Sequence, residues 1–230
     1  MADIPRAELM RAFLALIVTI IIMGVGLFGA AGRLDWALGW WFMAAFIVLT
    51  VVAIVWIWRL NPDIFVARNR LTRQGSKGWD VVLVILLLAC YLATLIVAGL
   101  DARFGWSTAP GWAVALGYVL FVVGYWGSGW AEAVNRHFEP TVRIQSDRGH
   151  QVISTGPYAY VRHPGYISAN LLTIGIALAL GSLWALLPVL IGIILLAIRT
   201  SLEDATLQRE LPGYAEFAQK TRFKWVPGVW

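Results

Sequence analysis

The chain has 230 residues, of which 60% are hydrophobic and only 13% are charged. A soluble globular domain carries about a quarter charged residues, so this composition excludes an ordinary soluble protein and predicts an all-α integral membrane protein. The formal net charge is +5. Because the basic residues are distributed as membrane topology requires, we expect no nucleic-acid partner and expect membrane lipids instead.

Six apolar segments organise the chain. Four of them, 12–31, 36–58, 81–99 and 112–131, are each close to the roughly 20 residues that a spanning helix needs. Two shorter runs, 166–180 and 183–198, are separated only by Gly181 and Ser182. We therefore predict four N-terminal spanning helices, followed by a tight helical hairpin that is tilted or partly re-entrant.

Two glycine-rich stretches lie inside these predicted spans. Residues 24–29 match the pattern G-x-G-x-x-G, but a dinucleotide-binding loop needs a preceding strand and a soluble βαβ unit. We expect close helix packing instead, because small residues let membrane helices approach each other. The same interpretation applies to Gly124, Gly127, Ser128 and Gly129 in the fourth span.

The distribution of basic residues predicts the orientation. Of the 18 lysines and arginines, only Arg33 and Arg103 fall in one set of loops. The others lie at the N-terminus, in 59–80, in 132–162 and from Arg199 onward, which the positive-inside rule assigns to the cytoplasm. Six crossings then leave both termini cytoplasmic, in the inner membrane if the source is bacterial. Anionic lipid headgroups are expected beside the 59–80 connector.

Polarity divides the chain into two parts. Residues 1–131 are predicted to form a transmembrane scaffold, because their spans contain almost no polar side chains. Residues 132–230 hold a polar segment at 132–163, here called the collar, then the hairpin and an aromatic tail. We expect this tail to lie on the membrane surface. Its aromatic residues are Phe217, Phe223, Trp225 and Trp230.

The hairpin should bring two polar clusters together at the cytoplasmic side. Each arm is roughly 26 Å long at 1.5 Å per residue, so the chain returns to its starting surface near Arg199. His163, Tyr166, Arg199 and Glu203 can then share one pocket. Pro164 suits the first turn of a helix, whose free amides, together with Arg162 and His163, favour an anionic group. Aromatic faces for a flat base or a cation are offered by Tyr158, Tyr160 and Tyr166.

These side chains also have simpler explanations. Arg162 and Arg199 are typical of residues that extend to the membrane interface, and Arg199 with Glu203 has the spacing of an intrahelical ion pair. The three histidines, His137, His150 and His163, are thirteen residues apart. Such spacing fits no short helical metal-ligand pair, so no metal is expected.

The order of these residues resembles one enzyme group. The chain is similar to isoprenylcysteine carboxyl methyltransferases and phospholipid methyltransferases. The residues that carry this resemblance are the run from His150 to Tyr158, Val161-Arg162-His163-Pro164-Gly165-Tyr166, Arg199, Glu203-Asp204 and Leu211-Pro212-Gly213-Tyr214. The resemblance covers about 132–230. It implies an integral-membrane methyltransferase that binds S-adenosylmethionine between the collar and the hairpin, without a soluble nucleotide-binding domain.

The resemblance also implies roles for individual residues. Arg199 would orient the acceptor, and Glu203 would lie at the polar end of the cofactor, so both are the candidate catalytic residues. Asp204 departs from the usual pair of glutamates, which leaves its role open, and Arg143 or Gln145 would supply a further cofactor contact. The implied cofactor contacts are His150, Gln151, Val152, Ile153, Tyr158, His163, Pro164, Gly165, Tyr166 and Glu203.

The implied reaction is displacement at a sulfonium methyl group by a lipid-like or prenylated acceptor. Arg199 would hold a carboxylate acceptor, which favours O-methylation, whereas Glu203 or Asp204 would attract an amine and assist its deprotonation. Two other functions stay open. An NADPH-dependent sterol-type reductase shares the R-H-P region, and a scaffold or transporter is disfavoured because no internal repeat is visible.

Overall fold

The computed structural model describes residues 6–60 and 75–230, and every regular element in these ranges is helical. Seven helices follow one another, with a π-helical turn (Val25–Gly29) after the first and 3₁₀ turns at Ser146–Arg148 and Gly156–Ala159 in the collar. The helices are α1 (Arg6–Gly24), α2 (Ala37–Leu60), α3 (Gly78–Phe104), α4 (Gly111–Val134), α5 (Pro164–Ala179), α6 (Leu186–Glu210) and α7 (Tyr214–Lys220).

The all-helical, multi-pass membrane fold is confirmed. Within the described residues, α2, α3, α4 and α6 are long and apolar enough to cross a membrane. Shorter apolar stretches occur at Phe13–Gly29 and in α5. Most of the basic 59–80 connector, residues 61–74, lies outside the described residues, so its predicted contact with anionic lipid headgroups stays a prediction.

Helices α4 and α5 run antiparallel along a seam of glycines. A Cβ atom on Gly117 would lie 2.3 Å from the Ala179 amide nitrogen, and one on Gly124 would lie 2.4 Å from that of Leu172. A Cβ atom on Gly175 would likewise lie 2.4 Å from the amide nitrogen of Phe121. Because these neighbours are backbone atoms, the two helices can approach this closely only where glycine is present.

The glycine motif of the first helix also lies at a helix contact. Residues 25–29 form the π-helical turn, and Gly26 faces Leu95 of α3. The closest approach between α3 and the π-helical turn is at Gly99 of α3, where an added Cβ atom would lie 2.5 Å from the Leu27 carbonyl oxygen. The motif therefore takes part in helix packing, as expected from its position inside a span.

A buried carboxylate fixes the end of the bundle opposite the collar. Asp101, near the end of α3, accepts hydrogen bonds from the Ser107 amide at 2.7 Å and the Ser182 hydroxyl at 2.5 Å. Ser182 belongs to the turn of the predicted hairpin, and Gly181 beside it has the positive φ of 77° that glycine adopts readily. Asp101 thus joins the α3–α4 loop to the α5–α6 turn.

The predicted division at 131/132 falls inside a helix, since α4 continues from Gly111 to Val134. The aromatic tail also differs from expectation at one residue. Phe217 of α7 is 6% exposed and packs in a cluster with Tyr158, Leu211 and Tyr214, so its predicted place on a membrane surface is wrong. Proline and glycine at 212 and 213 allow the chain to turn after α6, which brings α7 back against the collar.

We expect the glycine seam to be intolerant of a single added methyl group. Gly175→Ala places a Cβ atom against the backbone of Phe121, and overpacking of this kind costs about 1–3 kcal/mol. The thermal unfolding midpoint of the detergent-purified variant should therefore fall. Gly24→Ala is the matched control, because no atom lies within 4 Å of the added Cβ. An unchanged midpoint for Gly175→Ala would show that the seam does not need glycine.

Candidate active site

A cavity of about 540 Å³ extends from the collar into the space between α3, α5 and α6. This volume lies within the range of about 300–1,000 Å³ that is usual for small-molecule sites. Its wall changes in character along its length. The collar side carries polar residues, including His137, Arg143, Gln145 and His150, whereas the opposite side is formed largely by apolar residues of the three helices.

Most of the residues singled out from the sequence line this one cavity. Arg199 and Glu203 do so, and Pro164 does not, because it lies buried at the first position of α5. Tyr160 is 69% exposed and away from the wall, so its expected role as an aromatic face of the pocket is wrong. The other predicted contacts on the wall are His150, Gln151, Val152, Ile153, Tyr158, His163, Gly165 and Tyr166.

Arg199 is fixed by a carboxylate from another helix. Its Nε donates to Asp80 Oδ1 at 2.7 Å, and its Nη2 donates to Asp80 Oδ2 at 3.2 Å and to the Pro140 carbonyl at 2.7 Å. Asp80 is fully buried. The Nη1 group has no hydrogen-bond partner among the described residues and stays accessible from the cavity. The partner of Arg199 is therefore Asp80, and the alternative of an ion pair with Glu203 is wrong.

Glu203 faces the cavity one helical turn from Arg199 and is held by a tyrosine. The Tyr166 hydroxyl donates a hydrogen bond to Glu203 Oε2. The Tyr166 ring also lies parallel to the His163 ring, with centroids 5.5 Å apart, and the Arg199 guanidinium carbon is 5.2 Å from the Tyr166 centroid. Tyr166 thus connects the three charged or polar groups that the hairpin was predicted to bring together.

Asp204 points away from the cavity and closes a separate buried network. Arg162 binds it through two hydrogen bonds, from Nε at 2.8 Å and from Nη2 at 3.0 Å, and the Tyr214 hydroxyl donates at 3.0 Å. His163 Nε2 lies 3.2 Å from the same carboxylate. Because Asp204 neutralises Arg162, the expectation that Arg162 reinforces an anion site at the start of α5 is wrong.

The tail completes this network from the other side. Arg162 Nη1 donates to the carbonyls of Thr221 at 2.9 Å and Arg222 at 2.7 Å. The backbone amides of Arg162 and His163 donate to the carbonyls of Phe223 and Lys224. Residues 221–224 therefore hold the collar in place next to the start of α5.

His137 and His150 lie side by side on the collar wall, with ring centroids 4.6 Å apart. His137 Nε2 accepts a hydrogen bond from Arg136 Nε at 3.1 Å, and His150 Nδ1 accepts one from the backbone amide of Gln145 at 3.2 Å. Burial, followed by the neighbouring His137, lowers the pKa of His150 to about 4, and burial lowers the pKa of His137 as well. Both rings are thus neutral at pH 7.

Asp80 was not identified from the sequence, whereas Arg143 or Gln145 was expected to supply a further cofactor contact. The Gln145 side chain donates to the His137 carbonyl at 2.6 Å, and Arg143 forms ion pairs with Glu139 and Asp147. The donor groups of Gln145 and Arg143 are therefore already used within the protein. Asp80 lies just before the predicted span 81–99, and hydropathy assigns no role to a residue there. A carboxylate beside one span and an arginine near the end of another, on the same predicted side, would have been the signal for this pair.

Residues 112–212 match the model of the phospholipid methyltransferase family. This confirms the predicted resemblance over 132–212, that is, over the collar, α5 and α6. The match also includes α4, which the resemblance did not, and it stops before residues 213–230. The match implies a membrane methyltransferase. A search of curated proteins finds no match to the chain.

We expect Asp80 to act as a positioning residue for Arg199. Asp80→Asn removes the charge that holds the guanidinium, and misplacement by about 1 Å lowers turnover on the order of 100-fold. The loss should appear in kcat more than in the affinity for cofactor analogues, since Asp80 is not on the cavity wall. Asp80→Glu should restore part of the rate.

The matched control for this variant is Glu210→Gln. Lys77 and Glu210 form a second ion pair between the start of α3 and the end of α6, at 2.7 Å, but both side chains are partly exposed. Removing a pair of this kind changes stability by about 0–1 kcal/mol, and turnover should stay normal. Equal turnover in Asp80→Asn and the wild type would exclude the positioning role.

Stability should fall on mild acidification because of the collar histidines. An unfolded histidine has a pKa of about 6.5, whereas His150 in the fold titrates at about 4. The unfolded state therefore binds the proton first, and stability is lost progressively as the pH falls from about 6.5 towards 4. The unfolding midpoint should drop between pH 7.5 and 5.5 in the wild type and drop less in His150→Gln. Parallel pH profiles would assign the sensitivity to other groups.

Proposed function

We propose that the protein transfers a methyl group from S-adenosylmethionine to the carboxylate of a lipid-like acceptor. The observation that carries this proposal is the hydrogen bonding of Arg199, which lines the cavity. Its Nε and Nη2 donate to Asp80 and Pro140, and its Nη1 donates to none of the described residues. A guanidinium binds carboxylates well and repels cations. Its remaining N–H groups thus favour an anionic acceptor over a protonated amine.

The collar side of the cavity fits the cofactor in chemical character. Tyr158 supplies a buried aromatic ring, and its hydroxyl accepts from Asn135 at 3.1 Å. Val152 and Ile153 supply apolar surface, while Gln151 supplies polar groups. We assign these residues, with His150, His163, Gly165 and Tyr166, to the cofactor site. Pro164 is assigned only the role of starting α5.

Glu203 is assigned to the cationic end of the cofactor. Its carboxylate faces the cavity, and Tyr166 fixes one of its oxygens. When bound, S-adenosylmethionine would supply an activated sulfonium methyl group. The acceptor carboxylate oxygen would attack the methyl carbon, and S-adenosylhomocysteine would leave as a neutral thioether. The protein has to align and desolvate the reactants, because the methyl group is already activated. Arg199 holds the acceptor carboxylate in its ionised, nucleophilic form.

The apolar side of the cavity is assigned to the hydrocarbon part of the acceptor. It lies between membrane-spanning helices, so an amphiphile can reach it while its chain stays in an apolar environment. The helical residues that line this side include Val84, Leu87, Leu88, Leu172, Val189 and Leu196.

Methylation of a phospholipid amine is the second candidate. Two observations favour it: the matched family is described as phospholipid methyltransferase, and Glu203 offers a carboxylate on the cavity wall. The family match supports methyl transfer over NADPH-dependent reduction. From the charge distribution, we further propose that the collar and both termini are cytoplasmic.

Calorimetry on the detergent-purified protein tests the cofactor. S-adenosylmethionine and S-adenosylhomocysteine should each bind saturably in the micromolar range, and the affinity should fall in Glu203→Ala and in Tyr158→Ala. NADPH is titrated in parallel. Binding of NADPH alone would replace the methyltransferase with a reductase, and binding of none of the three would reject both enzymes.

Arg199→Ala tests the acceptor. The variant should retain affinity for S-adenosylhomocysteine but lose methyl transfer, because the acceptor carboxylate has lost its cation. A loss on the order of 100-fold or more is expected when a positioning group is removed. Turnover close to the wild-type value would overturn the assignment, and retained turnover on amine acceptors alone would promote the second candidate.

A further inference from the structure

Asn170 on α5 carries a side-chain amide that the protein does not use. The residue is 8% exposed and lines the cavity. Among the residues that the structure describes, none makes a hydrogen bond to the Asn170 side chain, and its polar atoms are not enclosed by protein. Because this amide opens onto the cavity and no group of the described residues uses it, its donor and acceptor are free for a ligand that enters the cavity.

The position of Asn170 separates it from the cofactor side of the cavity. Tyr166 contacts Arg199, and Arg199 contacts Asp80. These three residues therefore lie at about the same depth along the axis of the helical bundle, which we call one level of the bundle. Asn170 lies four residues after Tyr166 in α5, which places it one turn, about 6 Å, further from the collar on the same helix face. The collar contacts assigned to the cofactor lie on the other side of that level.

The surroundings of Asn170 are apolar at this depth. Leu196 is three residues before Arg199 on α6, and Val84 is four residues after Asp80 on α3, so both reach the cavity one turn below the same level. Thr173, one turn further along α5, also lines the cavity, but its hydroxyl donates to the Ala169 carbonyl at 3.1 Å. The amide of Asn170 is therefore a polar group in this region that a ligand can use, together with the Ser128 hydroxyl of α4, which also lines the cavity.

We propose that Asn170 determines acceptor specificity by binding a secondary amide between the acceptor's carboxylate and its hydrocarbon chain. A carboxamide presents one carbonyl acceptor and N–H donors, and a secondary amide presents the complementary donor and acceptor. The acceptor class is thus an N-acylated amino acid or a similar amide-linked amphiphile. This inference rests on the proposed function, because the carboxylate is placed at Arg199.

Specificity of this kind is strong because it works by exclusion. A plain fatty acid would bring methylene groups next to the Asn170 amide and leave it unpaired. Sites built to hydrogen-bond a polar group reject analogues that lack it far more effectively than apolar pockets reject an extra methylene. Asn170 would therefore separate amide-linked acceptors from fatty acids of the same length.

A competition experiment tests the proposal with three probes. The wild-type protein in phosphatidylcholine nanodiscs, saturated with S-adenosylhomocysteine, is loaded with tritiated N-palmitoylglycine. Unlabelled N-palmitoylglycine, N-palmitoylsarcosine and octadecanoate then compete for the site. N-palmitoylglycine should bind at least about tenfold more tightly than octadecanoate, which corresponds to one well-made buried hydrogen bond. N-palmitoylsarcosine, which lacks the N–H donor, should fall between them.

Two variants assign this preference to one residue. Asn170→Leu should bring the affinity ratio of N-palmitoylglycine to octadecanoate close to one. Thr173→Val should retain the ratio, because the hydroxyl that it removes is bonded within its own helix. A ratio near one in the wild type, or a ratio retained in Asn170→Leu, would overturn the proposal. The sarcosine comparison needs no substitution and tests the proposal even if Asn170→Leu fails to fold.

Cofactor binding is read out separately in the same preparations. Asn170→Leu should keep wild-type affinity for S-adenosylhomocysteine, since Asn170 lies on the acceptor side. A fall in this affinity with an unchanged probe ratio would reassign Asn170 to the cofactor and overturn the inference. Absence of S-adenosylhomocysteine binding in the wild type would reject the proposed function, while the probe ratio would still decide the role of Asn170.

Discussion

The buried ion pair between Asp80 and Arg199 is the interaction on which the site depends. The Asp80 carboxylate binds the guanidinium of α6, and it also accepts the Val142 amide of the collar at 2.6 Å. One carboxylate of α3 therefore fixes the positions of two other parts of the chain. Buried charge pairs add little net stability, because both ions lose hydration, but breaking one is costly. The pair is better understood as a means of setting geometry than as a source of stability.

Two adjacent carboxylates on α6 have separate tasks because of helix geometry. Consecutive residues of an α-helix are about 100° apart around its axis, so Glu203 and Asp204 cannot face the same space. Glu203 faces the cavity, and Asp204 faces Arg162, His163 and Tyr214. An aspartate suits the second position because its partners approach closely and leave no exposed space around it. The chemistry of the cavity thus stays separate from the network that holds its wall.

Much of the fold and part of the site could be predicted from the sequence. Apolar length identifies the helices, because a bilayer admits few other structures, and the turn at Gly181 brings Arg199 back to the level of Tyr166. Contacts between distant segments could not be predicted in this way. The pairing of Asp80 with Arg199 and that of Arg162 with Asp204 depend on which helices are neighbours, and hydropathy carries no information on that.

The directions in which individual side chains point also could not be predicted from the sequence. Within one short run, Tyr158 lines the cavity while Tyr160 is exposed, because the 3₁₀ turn at 156–159 directs nearby side chains to different sides. A motif shared with an enzyme family identifies which residue types are present, and the local backbone decides which of them reach the cavity. The roles assigned to the individual wall residues therefore stay predictions until binding is measured.

The contact between the tail and the collar has a consequence for the order of biosynthesis. Arg162 binds the carbonyl of a residue 60 positions further along the chain, and domains form during synthesis from the N-terminal side. When the collar leaves the ribosome, neither Asp204 nor the tail carbonyls that satisfy Arg162 have been made. The helices can enter the bilayer before that point, but the wall of the cavity closes last. The wall of the cavity is thus completed only after the tail has been synthesised.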